Sequence, residues 1–168
     1  MVFRYMAWLT IIFVVLMAIS PIFWMRNTPQ QKRIEKMRTL ARSNGIQVAL
    51  HKRPDAREGE TRLETVCYKL PWRVRHPRKN GVLHRNSNRG WKSDLENWRW
   101  ITGDAIKLSG TDVELVIDKL PVTVSAVMLD SYGVGVIWNE FEGEEMVPLI
   151  LERLQSLRSF FEKKLPNA

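Results

Sequence analysis

The longest apolar stretch of the chain runs from Met6 to Met25 without a charged side chain, and polar, basic sequence follows it at once. Twenty residues at about 1.5 Å rise per residue span roughly 30 Å, the thickness of a bilayer's hydrocarbon core. The pattern therefore predicts a transmembrane helix over 6–25, preceded by a short external N-terminus, 1–5. A cleaved signal peptide is the competing reading, with Ala18-Ile19-Ser20 as its cleavage site. Pro21 stands just after that cut, and the apolar run continues through Ile22, Phe23, Trp24 and Met25, so a retained anchor fits better. Tyr5, Trp8 and Trp24 stand near the two ends of the run, where membrane-interface aromatics are expected.

Beyond the run the periodicity changes element by element. Residues 26–45 read as a basic amphipathic helix. Thr28 and Pro29 suit its start and Asn44-Gly45 its end, and Ile34, Met37, Leu40 and Ala41 share one face. Ile46, Val48 and Leu50 alternate as a strand, and a charged loop over 53–60 leads to a second strand over 61–70. From Pro71 to Asn97 turn residues and arginines dominate, and 72–92 is read as a basic insert. Trp98 to Ile101 is short and strand-like. Residues 110–120 carry Val113, Val116, Ile117 and Leu120 at helical spacing. Strands follow over 122–129 and 134–140, with Asp130-Ser131-Tyr132-Gly133 as a hairpin turn. Val147, Ile150, Leu154, Leu157 and Phe161 step by 3 and 4 through a last helix, 144–164. That seam suits packing on a sheet, or a short coiled coil and dimerisation.

The expected fold is α+β. An N-terminal transmembrane helix precedes one antiparallel sheet with helices packed on one face. The order is helix-strand-strand, basic insert, helix-strand-strand-helix. The domain over 46–168 is long enough for one core and too short for two.

Charge sharpens the picture. Only Arg4 precedes the apolar run, whereas Arg26, Lys32, Arg33, Lys36, Arg38 and Arg42 follow it. Positive flanks stay inside, so the expectation is a single-pass bacterial inner-membrane protein, N-terminus outside and C-terminal domain in the cytoplasm. The lone Cys67 agrees, since it can form no internal disulfide. From Arg26 to Lys92 there are 18 Lys or Arg against 5 Asp or Glu; from Ser93 to Ala168 there are 7 against 13.

The insert holds Arg73, Arg75, Arg78, Lys79, Arg85, Arg89 and Lys92 with no acid among them, bracketed by Trp72 and Trp91. These cations, with Arg26, Lys32, Arg33, Lys36 and Arg38, are candidate contacts for anionic lipid or an acidic protein partner. Nucleic acid is a third reading, with phosphates neutralised and bases stacked on Trp, though a short membrane tether makes it the less natural partner. A solvated loop is the bland alternative. Trp72, Trp98, Trp100 and Trp138 are candidate core or ligand-stacking aromatics; Trp98 and Trp100 share a face. His51, His76 and His84 lack metal spacing, and Glu140, Glu142, Glu144 and Glu145 suit the start of the last helix. No catalytic constellation, metal set or cofactor motif is found, so a non-enzymatic role is expected. Oligomeric state is left open.

Pro29-Gln30-Gln31-Lys32-Arg33, following a single apolar run and entering a basic helix, resembles the small single-pass auxiliary subunit of the bacterial Sec translocase. The likeness covers about 40 residues and implies a role in protein export or membrane-complex assembly. It ends at Gly45, after which that family's short glycine-rich β unit has no counterpart. The chain as a whole resembles membrane-anchored proteins of bacteria at Leu70-Pro71-Trp72, Trp98-Arg99-Trp100 and Val136-Ile137-Trp138-Asn139-Glu140, which implies no particular activity.

Overall fold

The computed structural model describes residues 2–24, 28–57, 64–73, 80–103 and 111–164. The chain forms two compact units, Met1–Arg33 and Ile34–Ala168.

The first unit contains helix α1, Val2–Trp24. Its described side chains are exposed, among them Tyr5, Trp8, Leu9, Phe13 and Leu16. The membrane span expected over 6–25 is corrected here: among the described residues, no helix is long and apolar enough to cross a membrane. The single-pass inner-membrane placement, the orientation drawn from it and the interface role of Tyr5, Trp8 and Trp24 lose their basis with the span.

Helix α2, Pro29–Ser43, begins with a reciprocal capping box. Gln31 N–H donates to Thr28 Oγ1 at 3.3 Å, and Thr28 N–H donates to Gln31 Oε1 at 2.9 Å, so two of the helix's orphan donors are satisfied. It ends in a Schellman turn: Ile46 N–H reaches Ala41 O at 3.0 Å and Gly45 N–H reaches Arg42 O at 3.0 Å. Gly45 has φ +79°, which a Cβ would resist. Met37, Ala41 and Ile46 are buried together in the core of the second unit, whereas Leu40 stays at the rim.

Among the described residues, seven strands form one antiparallel sheet: β1 (Gln47–Lys52), β2 (Glu64–Pro71), β3 (Gly81–Arg85), β4 (Trp91–Lys92), β5 (Trp98–Gly103), β6 (Val124–Leu129) and β7 (Gly133–Trp138). Their order across the sheet is β1-β2-β7-β6-β3-β5-β4. The stretch expected as an insert supplies β3, which lies between β6 and β5 with His84 opposite Ala126 on one side and Arg99 on the other. The basic flanks of this five-residue strand conceal its Val82 and Leu83.

Helices α3 (Thr111–Asp118) and α4 (Met146–Lys164) join α2 on one face. The α4 seam, Val147, Ile150, Leu154, Leu157 and Phe161, is fully buried against Tyr68, Leu83, Val127, Val136 and Trp138 and their neighbours. Truncating one such leucine to alanine costs about 2–5 kcal/mol. The opposite face carries a smaller buried cluster of Cys67, Ala126, Met128 and Ile137. The β6–β7 turn is held by Asp130, whose Oδ1 accepts from Tyr132 N–H at 2.8 Å and Gly133 N–H at 3.0 Å. A Cβ on Gly133 would meet Leu70 O at 2.3 Å, so β2 can close on β7 only against glycine here.

A candidate anion-binding edge

Two concentrations of charge stand out, and their chemistry differs. The first is closed. Glu140 follows β7 with φ +58° and only 6% exposure. Arg38, on α2, grips its carboxylate in a bidentate fork, Nε to Oε1 at 2.8 Å and Nη2 to Oε2 at 2.7 Å. The Tyr68 hydroxyl donates to Oε1 at 2.7 Å. The hydrogen bond to Glu140 holds the Arg38 pKa above its ordinary value. Burial, then the Glu140 carboxylate, pushes the Tyr68 hydroxyl up. The Tyr68 ring meets Trp138 edge-on, centroids 5.2 Å apart, and Trp138 Nε1 donates to Thr123 Oγ1 at 3.2 Å. Both carboxylate oxygens are engaged by fixed donors. The constellation clasps α2 to the end of β7.

The second is open, and its backbone is tightly built. β3 and β5 end their pairing at Arg85 opposite Trp98, and Asn86 N–H closes the excursion onto Asn97 O at 2.7 Å. Both asparagines are left-handed, with φ 56° and 63°, a conformation asparagine tolerates better than most residues. Between them the chain turns back and lays β4 along the outer side of β5, with Trp91 opposite Trp100 and Lys92 opposite Arg99. Gly90 permits that turn: its φ is +87°, and a Cβ would meet Trp100 O at 2.0 Å. Ser93 fastens the return, donating to Trp98 O at 2.7 Å and accepting from Leu95 N–H at 3.2 Å, while Leu95 is buried in the core.

Lys92 and Arg99 thus face each other across neighbouring strands, and among the described residues neither enters an ion pair. Directly opposed like charges destabilise a strand pair. Both line an open cleft of about 580 Å³ with Asn86, Asn88 and Asn97; Asp94 and Glu96 also line it. Arg89, Trp91, Ile101, Pro54 and Ala56 line a second groove of about 470 Å³. Trp91 is 62% exposed.

The loop beneath this groove is anchored. Arg89 Nη1 donates to Asp55 O at 3.0 Å. The hydrogen bond from Arg53 holds the Asp55 carboxyl below its ordinary value against the opposing effect of burial, and His84, 3.7 Å away, assists.

The other residues singled out from the sequence separate by role. Lys32, Arg33 and Lys36 lie exposed on α2, and Arg38 is committed to Glu140. Arg85 stacks over Trp98 at 4.7 Å and donates to Pro121 O at 2.8 Å and Leu120 O at 3.2 Å; burial lowers its pKa. Arg73 is exposed, and its N–H donates to Glu162. Arg26, Arg75, Arg78, Lys79 and His76 lie outside the described residues. Trp98, Trp100 and Trp138 are core residues, and half-buried Trp72 donates to Asp130 O at 2.8 Å. Sequence reasoning passed over Arg99 and treated Trp91 only as a bracket. The available signal was the alternation Trp98-Arg99-Trp100, which turns Arg99 away from the core.

Among the described residues no group of three His, Cys, Asp or Glu could hold a metal ion. Burial raises the Cys67 thiol to about 11, and its sulfur lies 4.0 Å from that of Met128. Comparison with protein-family models, curated proteins and solved structures returned no match.

Proposed function

We propose that this chain is a non-enzymatic binding module that takes an anionic partner at the β4 edge of its sheet. The observation that carries this reading is the opposed pair Lys92 and Arg99, without an ion pair among the described residues, beside exposed Trp91. Strands about 4.8 Å apart set the two side chains close enough for one anionic group to meet both. An anion there would relieve their repulsion, so partner binding and edge stability are coupled. The open clefts suit part of a larger partner better than an enclosed small molecule. The residues that carry the Sec-subunit resemblance, Pro29–Arg33, form the start of α2.

Heparin-affinity retention tests the proposal. The double variant Lys92→Gln with Arg99→Gln should elute at distinctly lower salt than the parent. Lys32→Gln with Lys36→Gln removes the same charge from α2 and should shift elution less. Equal shifts in the two would reduce the edge to one part of a generally basic surface and overturn the reading.

A further inference from the structure

From the two sides of β4 we infer that the anionic partner is a single-stranded nucleic acid, with its backbone at Lys92 and Arg99 and a base stacked on Trp91. The inference rests on the edge being an anion site and adds the class of ligand. Trp91 and Lys92 are consecutive, so strand alternation sends the indole and the ammonium to opposite sides of β4. The two residues line different clefts: Lys92 and Arg99 line one, Trp91 the other.

A ligand using both must present negative charge and a flat apolar face in alternation, and must bend over a two-residue strand. A single-stranded nucleic acid does this, because phosphates and bases alternate along a flexible backbone and any base can stack on an indole. An acidic peptide would satisfy the two cations and leave the Trp91 groove unused. A β4 of two residues also offers too short a ladder for an added peptide strand. A duplex cannot wrap the edge, and its bases are already stacked. Asn86, Asn88 and Asn97 add amide donors and acceptors beside the phosphate position. Arg89 lines the Trp91 groove and adds a further cation there.

The test uses the full chain and three probes followed by anisotropy: labelled oligo-dT, the duplex of equal length, and labelled polyglutamate. Oligo-dT should bind best, with affinity falling as salt rises. Trp91→Ala should weaken oligo-dT about tenfold or more, as expected for one lost stacking contact, and leave polyglutamate unchanged. Trp91→Phe, which keeps a π-face, should recover most of the loss. Lys92→Gln and Arg99→Gln should each lower the slope of log K against log salt by about 0.7. Equal binding of oligo-dT and polyglutamate, with no response to Trp91→Ala, would overturn the nucleic-acid inference and leave the anion site standing. Absence of binding to every probe would overturn both.

Discussion

The Arg38–Glu140–Tyr68 clasp and the Lys92–Arg99 edge use similar side chains to opposite ends. In the clasp a buried carboxylate receives three hydrogen bonds, and its cation comes from a helix far away in sequence. At the edge two cations oppose each other, and no described side chain forms an ion pair with either. A paired buried charge is evidence of architecture, because removing either partner leaves the other unsatisfied. A pair of like charges, Lys92 exposed and Arg99 half-buried, that no described side chain ion-pairs and that a backbone as constrained as Asn86–Asn97 holds, serves no evident packing purpose. It points outward, to something that brings the opposite charge.

The comparison is broken most forcefully from its buried side. Arg38→Ala should cost about 3–5 kcal/mol, since Glu140 is left buried without its cation; chemical denaturation measures it. Tyr68→Phe removes one of the three donors and should cost about 1–3 kcal/mol by the same measurement. Either variant should leave anion binding intact wherever the protein remains folded.

Gly90→Ala should act at the edge alone. Its Cβ clash with the Trp100 carbonyl must push β4 off β5, so oligo-dT binding should fall to the level of the Lys92/Arg99 double variant. Proteolysis should then show new cleavage within 86–97, while the core stays protected.

Acid should reveal the carboxylates that fasten the loops. Asp55 and Asp130 both have folded values below the ordinary 3.8. For Asp130, burial pushes upward, but Lys69 and the N–H groups of Tyr132 and Gly133 outweigh it. A depressed folded value contributes stability that is complete above the unfolded value and lost as pH falls through the folded one. Stability should therefore fall below about pH 4, and Asp130→Asn should flatten that limb in an acid titration followed by circular dichroism.

The smallest effect is also the most diagnostic. Lys92→Gln should change the melting temperature by less than about 2 °C, upward if at all, because it relieves a like-charge pair at the surface. A clear loss of stability would show that Lys92 is part of the architecture after all.

The sequence foreshadowed these regions unequally. The α4 seam was legible because five apolar positions at helical spacing admit one burial pattern, and all five are buried. The α2 cap was legible from Thr28, Pro29, Asn44 and Gly45. β3 was hidden, because five residues with basic neighbours have too little alternation to stand out. Its position between β6 and β5 comes from pairing with residues 13 to 22 positions away in β5 and 42 to 48 positions away in β6, which no local pattern encodes. The same holds for Arg38 and Glu140, 102 positions apart. Basic composition marked 72–92 as one patch; the fold divides it, committing Arg85 to Trp98 and to carbonyls and leaving Lys92 exposed. The apolar run over 6–25 was the plainest signal in the chain. A helix forms there, but among the described residues none is long and apolar enough to cross a membrane.

The central claim is that partner chemistry belongs to the open edge and not to the basic surface at large. Titrating the isotopically labelled chain with oligo-dT and following backbone amide shifts tests it directly. The account predicts perturbations concentrated in residues 86–102, with Arg38, Tyr68 and Glu140 unmoved. Shifts centred on the exposed cations of α2, with Trp91, Lys92 and Arg99 unchanged, would contradict it.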